Sequence, residues 1–275
     1  MLLILLGAIV YYCGSNVFAL MKIVSYNVNG IRAAMKKGLL EWLEAEQPDV
    51  FCIQESKSQE EQIKGEVFAD LGYHAYWHSA EKKGYSGVVT YSKKAADHVV
   101  YGMGNEKYDS EGRVLRTDYG DLTVVNTYFP SGSSSEERHA FKMEFLEDFQ
   151  PWAEALKKER KNLIIMGDYN IVRLDIDIHN PERKDKPSGF RPEERDWLNT
   201  WFENGFTDAF RKLYPDTKDV YSWWSYRAGS RPRNKGWRID YISVSDHLAD
   251  GIQSVTHLKD VQHSDHAAVV MEIKI

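Results

Sequence analysis

Apolar residues along this chain fall in two rhythms, short unbroken runs and longer stretches of helical spacing, and the two alternate from residue 22 onward. The clearest run, Leu163-Ile164-Ile165-Met166, reads as a buried strand and leads through Gly167 to Asp168-Tyr169-Asn170. Further strands are predicted over Lys22–Tyr26, Asp49–Gln54, Tyr73–Ser79, Val88–Ser92, Leu122–Tyr128, Arg238–Val244 and Ala267–Ile275. Helical spacing predicts helices over Ala33–Ala45, Glu60–Leu71 and Glu136–Lys158, the last capped by Ser135. A charged surface loop with prolines, Pro181–Arg195, precedes renewed helical spacing at Trp197, Leu198, Trp201 and Phe202. Alternating strands and helices predict one α/β domain over residues 21–275.

Polar residues recur where these strands end. Asn27 and Glu55 follow the first two, Tyr128 and Asp168 close two others, and α/β folds place their chemistry at such ends. If extended backbone persists through Asn170, Asp168 and Asn170 share a face; an Asx turn closing the strand fits the same residues. Asp240 lies within a predicted strand, and Asp265-His266 precedes the last one; a carboxylate can orient and charge an imidazole. From Trp223-Trp224 to Arg238, the residues Arg227, Arg231, Arg233, Lys235 and Arg238 occur with no acidic residue among them. Basic and aromatic residues in alternation suit phosphates and a stacked or cradled sugar or base, although arginines also cap core tryptophans. The turn Glu81–Gly87, with Lys82 and Tyr85, suits phosphate contact.

Composition narrows this picture. A chain that is 43% hydrophobic and 13% aromatic has ample material for a core, which excludes a disordered protein. The net charge of −6 does not exclude a polyanion partner, because binding depends on a local basic surface. Cys13 and Cys52 support neither a disulfide framework nor a thiolate metal site, which points to a reducing, cytoplasmic compartment. Met1–Leu20 is apolar and uncharged but broken by Gly14-Ser15-Asn16; it lacks the positive charge of a signal peptide and is short for a membrane helix. It is expected to be an extension upstream of a natural start at Met21, with a signal-like segment or anchor as the alternative. Asn27, Glu55, Tyr128, Asp168, Asn170, Asp240, Asp265 and His266 form an oxygen-rich set without sulfur, which favours Mg²⁺ or Mn²⁺ over Zn²⁺. No Gly-rich nucleotide loop occurs, so no small-molecule cofactor is expected. Metal-assisted phosphodiester hydrolysis needs this inventory.

Five blocks carry a family resemblance: Ser25-Tyr26-Asn27-Val28-Asn29-Gly30-Ile31-Arg32, Gln54-Glu55-Ser56-Lys57, Gly167-Asp168-Tyr169-Asn170, Trp237-Arg238-Ile239-Asp240-Tyr241 and Ser264-Asp265-His266. In order and spacing they resemble the exonuclease III type of apurinic/apyrimidinic endonuclease, over Met21–Ile275. The resemblance implies a four-layered α/β sandwich, two mixed sheets with helices outside, as in DNase I. It implies a monomer that makes Mg²⁺-dependent incisions in duplex DNA 5′ to abasic sites, with activity on blocked 3′ ends. Glu55 is then the principal metal ligand, with Asn27, Asp168, Asn170, Asp265 and His266 around the metal. Asp168 activates water, Asn170 positions it, Asp240 holds His266 against a phosphoryl oxygen, and Tyr128 contacts the same phosphate. Trp223, Trp237 and Ile239 form a pocket for the flipped-out sugar; Lys57, Lys82, Tyr85, Arg227, Arg231, Arg233 and Lys235 are the other expected DNA contacts.

Three positions depart from the family pattern. Asn29 stands where some relatives have a metal-proximal Asp, Arg173 replaces a His, and Pro187 replaces an Asn that touches DNA. Phosphoinositide and sphingomyelin phosphatases share the core motifs, and a DNA-binding module without catalysis is a second alternative. The Trp-Arg-Ile-Asp-Tyr block favours DNA over the first, and the intact Glu55, Asp168, Asn170 and His266 set argues against the second.

Overall fold

A computed structural model describes residues 20–275; the Met1–Leu20 segment, apart from its last residue, lies outside the described residues. The first half runs β1 (Leu20–Asn27), α1 (Ile31–Met35), α2 (Leu39–Glu46), β2 (Val50–Gln54), α3 (Glu66–Ala69), β3 (His74–His78), β4 (Val88–Ser92), β5 (His98–Tyr101), α4 (Glu106–Asp109), β6 (Val114–Tyr119) and β7 (Leu122–Tyr128). It continues with α5 (Glu136–Glu159), β8 (Asn162–Asp168), α6 (Pro192–Glu203), β9 (Phe206–Asp208), α7 (Ala209–Leu213), β10 (Asp240–Ser245), β11 (Ile252–Leu258) and β12 (Ala268–Lys274). No helix of the described residues is long and apolar enough to cross a membrane.

The strands form two six-stranded mixed sheets, ordered β11-β12-β1-β2-β4-β3 and β5-β6-β7-β8-β10-β9. Each contains one parallel pair at its centre, β1 with β2 and β7 with β8, and antiparallel neighbours elsewhere. Strand alternation makes the layers. Ile23, Val50, Cys52, Val124, Ile164 and Met166 fill the space between the sheets. Their chain neighbours Val24, Phe51 and Ile53 pack with Ile31, Leu39 and Phe68 of α1–α3. Val125, Leu163 and Ile165 pack with Phe145, Phe149 and Leu198 of α5 and α6. Helix, sheet, sheet and helix are thus stacked as four layers, the sandwich that the resemblance implied.

Several local expectations change. The helix predicted over Ala33–Ala45 is two, because Gly38 adopts φ 95° in the turn between α1 and α2. The one predicted over Glu60–Leu71 is a single 3₁₀ turn and the short α3, since Ile63 is extended between them. The charged loop ends earlier than expected: α6 starts at Pro192, where a missing N–H costs nothing, and Glu194 accepts from the Arg191 N–H. By contrast, Ser135 does cap α5, its hydroxyl accepting from the Arg138 N–H at 3.2 Å.

Candidate active site

The four strands of the two parallel pairs all point their C-terminal ends at one place. Asn27 ends β1, Glu55 follows β2, Tyr128 ends β7 and Asp168 ends β8. Asp240 opens β10 directly opposite Asp168, and His266 lies two residues before β12. The site therefore straddles the seam between the sheets. Gly167 makes the approach possible: with φ 151°, a Cβ there would lie 1.7 Å from the Thr127 carbonyl oxygen.

Hydrogen bonds tie the two sides together. The Asn27 amide donates to Glu55 Oε1 and to Asp168 Oδ2, both at 2.9 Å. Asn170 adopts φ 53°, so the extended backbone stops at Asp168 and the Asx turn is what forms. That turn still brings the two side chains together: the Asn170 N–H donates to Asp168 Oδ1 at 2.8 Å and its amide to Oδ2 at 3.3 Å. His266 Nδ1 bonds Asp240 Oδ2 at 2.9 Å, leaving Nε2 3.9 Å from Asp168 Oδ2. Ser222, which the sequence reading did not single out, accepts both the Ile239 and Asp240 N–H groups on its hydroxyl. Glu55, Lys57, Asn29 and Asn170 all hold left-handed backbone conformations; such strain gathers where geometry serves function.

Charge is strongly perturbed here. Burial opposes ionisation of Glu55, but the Lys57 ammonium, 2.7 Å from Oε2, and the Asn27 amide hold its carboxyl below the usual range. Burial and the neighbouring Asp240 carboxylate push Asp168 well above the carboxylate range, against the pull of His266. Burial disfavours the His266 cation, yet Asp240 outweighs it and raises the imidazole to about 10. Tyr128 is buried beside Glu55, with the Arg113 guanidinium 4.9 Å over its ring; burial first, then the carboxylates, keep its hydroxyl protonated.

Glu55, Asp168 and His266 offer ligand atoms that all lie within 4.8 Å of one another. The two carboxylates suit a hard cation, and the Lys57 ammonium already supplies positive charge at Glu55; they fit a metal ion, whereas His266, charged on Asp240, has no lone pair to give it. Asp265 is otherwise engaged. Its carboxylate accepts from Trp223 Nε1 at 3.0 Å and from the Asn29 amide at 2.9 Å. Asn29 in turn accepts from Lys57, so it links Asp265 to Glu55 through an ammonium.

Beside His266, Trp223, Trp237 and Ile239 gather with Val172, Ile178 and Phe190 in one apolar cluster, the two indoles edge-on at 5.8 Å. Lys82 sits over Tyr85, whose hydroxyl accepts from Arg113 and Arg138. Arg227, Arg233 and Lys235 are exposed, as is Tyr226, which the sequence reading passed over. Arg231 needs correction as a DNA contact. It stacks on buried Trp224, and its N–H groups donate to the carbonyls of Lys259, Val261, Ser264 and His266. It braces the His266 loop, with few donors left for a phosphate. Arg238, also read as part of the basic surface, is wholly buried. Arg173 turns to Asn199 and Phe202 of α6, and Pro187 forms a turn with Phe190.

This fold, with carboxylates, amides and an imidazole converging at the sheet seam, defines a phosphoester-hydrolysing enzyme class. The chain belongs to the endonuclease/exonuclease/phosphatase family, whose model matches residues 24–266. Within it the chain falls among the exonuclease III and apurinic/apyrimidinic endonuclease proteins, nucleases that hydrolyse phosphodiester bonds. It is 41% identical to an exodeoxyribonuclease of Bacillus subtilis, over 93% of this chain and 100% of that protein. It is 38% identical to the DNA repair nuclease APEX1 of Danio rerio, over 93% and 83%. Among solved structures, an AP endonuclease from Archaeoglobus fulgidus superposes with a TM-score of 0.84 at 28% identity, covering 93% of this chain and 100% of that one.

One expected outcome belongs to the His266 pair. Asp240 raises the imidazole pKa, so the cation persists until pH climbs through about 10. Asp240→Asn removes that support; the alkaline limb of the kcat profile should move to lower pH, and neutral activity should fall roughly 100-fold. An unshifted alkaline limb would separate Asp240 from the charge on His266.

Proposed function

We propose that this protein is a Mg²⁺-dependent DNA repair nuclease that hydrolyses the phosphodiester 5′ to abasic sites in duplex DNA, leaving a 3′-hydroxyl and a 5′-deoxyribose phosphate. The same site would trim blocked 3′ ends, with 3′→5′ exonuclease and 3′-phosphatase or phosphodiesterase activity. The observation that carries this reading is the adjacency of the Glu55, Asp168 and His266 group to the Trp223, Trp237 and Ile239 cluster.

Asp168, in its ionised form, takes the proton of the attacking water. Asn27 and Asn170 hold its Oδ2, fixing where that base points. The His266 cation, held by Asp240, meets the phosphoryl oxygen as charge builds, and the protonated Tyr128 hydroxyl donates to the same phosphate. Glu55 and Asp168, flanked by Asn27, Asn170 and Asp265, would hold Mg²⁺ or Mn²⁺, which when bound offsets phosphoryl charge, while His266 as a cation serves the phosphate and not the metal. Trp223, Trp237 and Ile239 receive the extruded sugar in a space that excludes a base. Lys57, Lys82, Tyr85, Arg227, Arg233 and Lys235 supply phosphate contacts. The enzyme works as a monomer in the cytoplasm.

The test is a labelled duplex with one abasic-site analogue, beside an undamaged control, in Mg²⁺ and then in EDTA. Cutting just 5′ of the analogue in Mg²⁺ alone, leaving a 3′-hydroxyl, is the expected result. A ladder from the 3′ end of the undamaged strand would make exonuclease the main activity, and an EDTA-resistant cut would remove the metal from the reading.

A further inference from the structure

Lys142 of α5 is the one lysine among the described residues that is fully buried, and Glu194 of α6 is buried with it. Its ammonium donates to Glu194 Oε1 at 2.7 Å and to the Asn170 carbonyl oxygen at 2.8 Å. Glu194 gathers a second set of bonds from the preceding loop: the Ser188 hydroxyl at 2.9 Å, the Gly189 N–H at 2.6 Å and the Arg191 N–H at 3.0 Å. That loop is itself pressed against the site. The Val172 N–H donates to the Gly189 carbonyl at 2.7 Å, and a Cβ on Gly189 would lie 2.8 Å from the Asn170 carbonyl and 3.1 Å from Trp237.

Stability is a poor reason for such a pair, because apolar replacements of a buried ion pair are often neutral or stabilising. What the pair does do is geometric. Asn170 holds a left-handed conformation that non-glycine residues avoid, and its carbonyl needs a buried donor to stay there. The loop on the other side of Glu194 delivers Phe190 to the cluster containing Trp237 and Ile239. We propose that Lys142 and Glu194 are positioning residues for hydrolysis, one buried ion pair that clamps the Asn170 turn to the loop backing the apolar cluster. The inference rests on the hydrolytic reading of the site, whichever DNA end or lesion is cut. His139 faces the same carboxylate, its Nδ1 3.6 Å from Glu194 Oε1, so it is kept unchanged in the test.

Lys142→Met alone strands a buried carboxylate and can fail to fold. The double variant Lys142→Met/Glu194→Gln carries the test, since the glutamine oxygen still accepts from the loop while the ammonium on Asn170 is gone. Parent and double variant are compared on the same Mg²⁺-supplied abasic duplex, with melting temperature, KM and kcat measured. The expected result is a folded protein with KM within about twofold of the parent and kcat lower by ten- to a hundredfold, the loss that misplacement by about 1 Å brings. A folded double variant with parental kcat overturns the positioning role while leaving the hydrolytic reading intact. A drop in kcat matched by an equal rise in KM overturns it too, as loosened DNA binding. A parent that cuts no DNA overturns the hydrolytic reading, and the inference with it.

Discussion

Asp168→Asn should yield a protein that is both inactive and harder to melt. Removing the proposed base and one proposed ligand position should cost kcat about 10⁴-fold, equivalent to about 5.5 kcal/mol of barrier. Binding should persist, because the amide keeps the shape and an oxygen for the Asn170 N–H. The stability gain follows from the sign of the shift. Burial and Asp240 raise the Asp168 carboxyl from 3.8 to about 8, so its ionised form is penalised in the folded state between those values. At neutral pH the fold therefore gives up stability to keep this carboxylate, and the neutral amide returns that part of it not lost where its NH₂ faces the Asn27 and Asn170 amides. Single-turnover cleavage, a binding titration with an abasic duplex and a melt at pH 7 are the measurements. Activity within tenfold of the parent would strip Asp168 of its role; a melting temperature several degrees lower would mean that unfolding, not chemistry, explains the loss.

Arg238→Met should have the largest effect on stability. The Arg238 guanidinium is buried and forks onto two carboxylates, Asp177 at 2.7 and 3.0 Å and Asp208 at 2.8 and 3.1 Å. Its face lies 4.5 Å from the Tyr241 ring, and Arg211 shares Asp177. Removing one partner of a buried network leaves charge uncompensated, at a cost of about 3–5 kcal/mol. For a chain of this size that lowers the melting temperature by roughly 10 °C. Acid should narrow the gap. Burial works against the Asp177 carboxylate, but Arg238 and Arg211 prevail and hold its pKa below the usual value. A depressed carboxyl contributes stability above its unfolded pKa and loses it as pH falls through the folded one. Parent and variant should thus differ most near neutrality and converge in acid; equal melting at pH 7 would return Arg238 to the surface role its neighbours in sequence suggested.

That arginine shows where reading the chain alone reaches its limit. Periodicity was enough for the buried strands that end in Asn27, Glu55, Tyr128 and Asp168, because each is a short apolar run. Strands β5, β6 and β11 carry His98, Arg116, Asp118, Gln253 and His257, and charge and amides blur their alternation. The basic stretch before Arg238 looked uniform, yet it divides three ways. Arg227, Arg233 and Lys235 face solvent, Arg231 braces carbonyls, and Arg238 meets Asp177 and Asp208, which lie 61 and 30 residues away. Partners so distant in sequence leave no local mark. Ser222 and the Lys142–Glu194 pair escaped for the same reason: each acts through a backbone group of a segment far along the chain. The near-matching strand orders of the two sheets also left no visible repeat, since the likeness lies in the backbone path and not in the residues.

The seam has a consequence for how this molecule is made. Asp168 and Asp240 stand on one sheet, while Asn27, Glu55 and His266 come from the other. β12, which follows His266, must return to pair with β1, closing the longest loop in the protein. During synthesis every one of these residues, His266 included, emerges before the strand that makes that closure. A chain interrupted between residues 240 and 266 holds Glu55 and Asp168 but has neither His266 nor the strand that follows it.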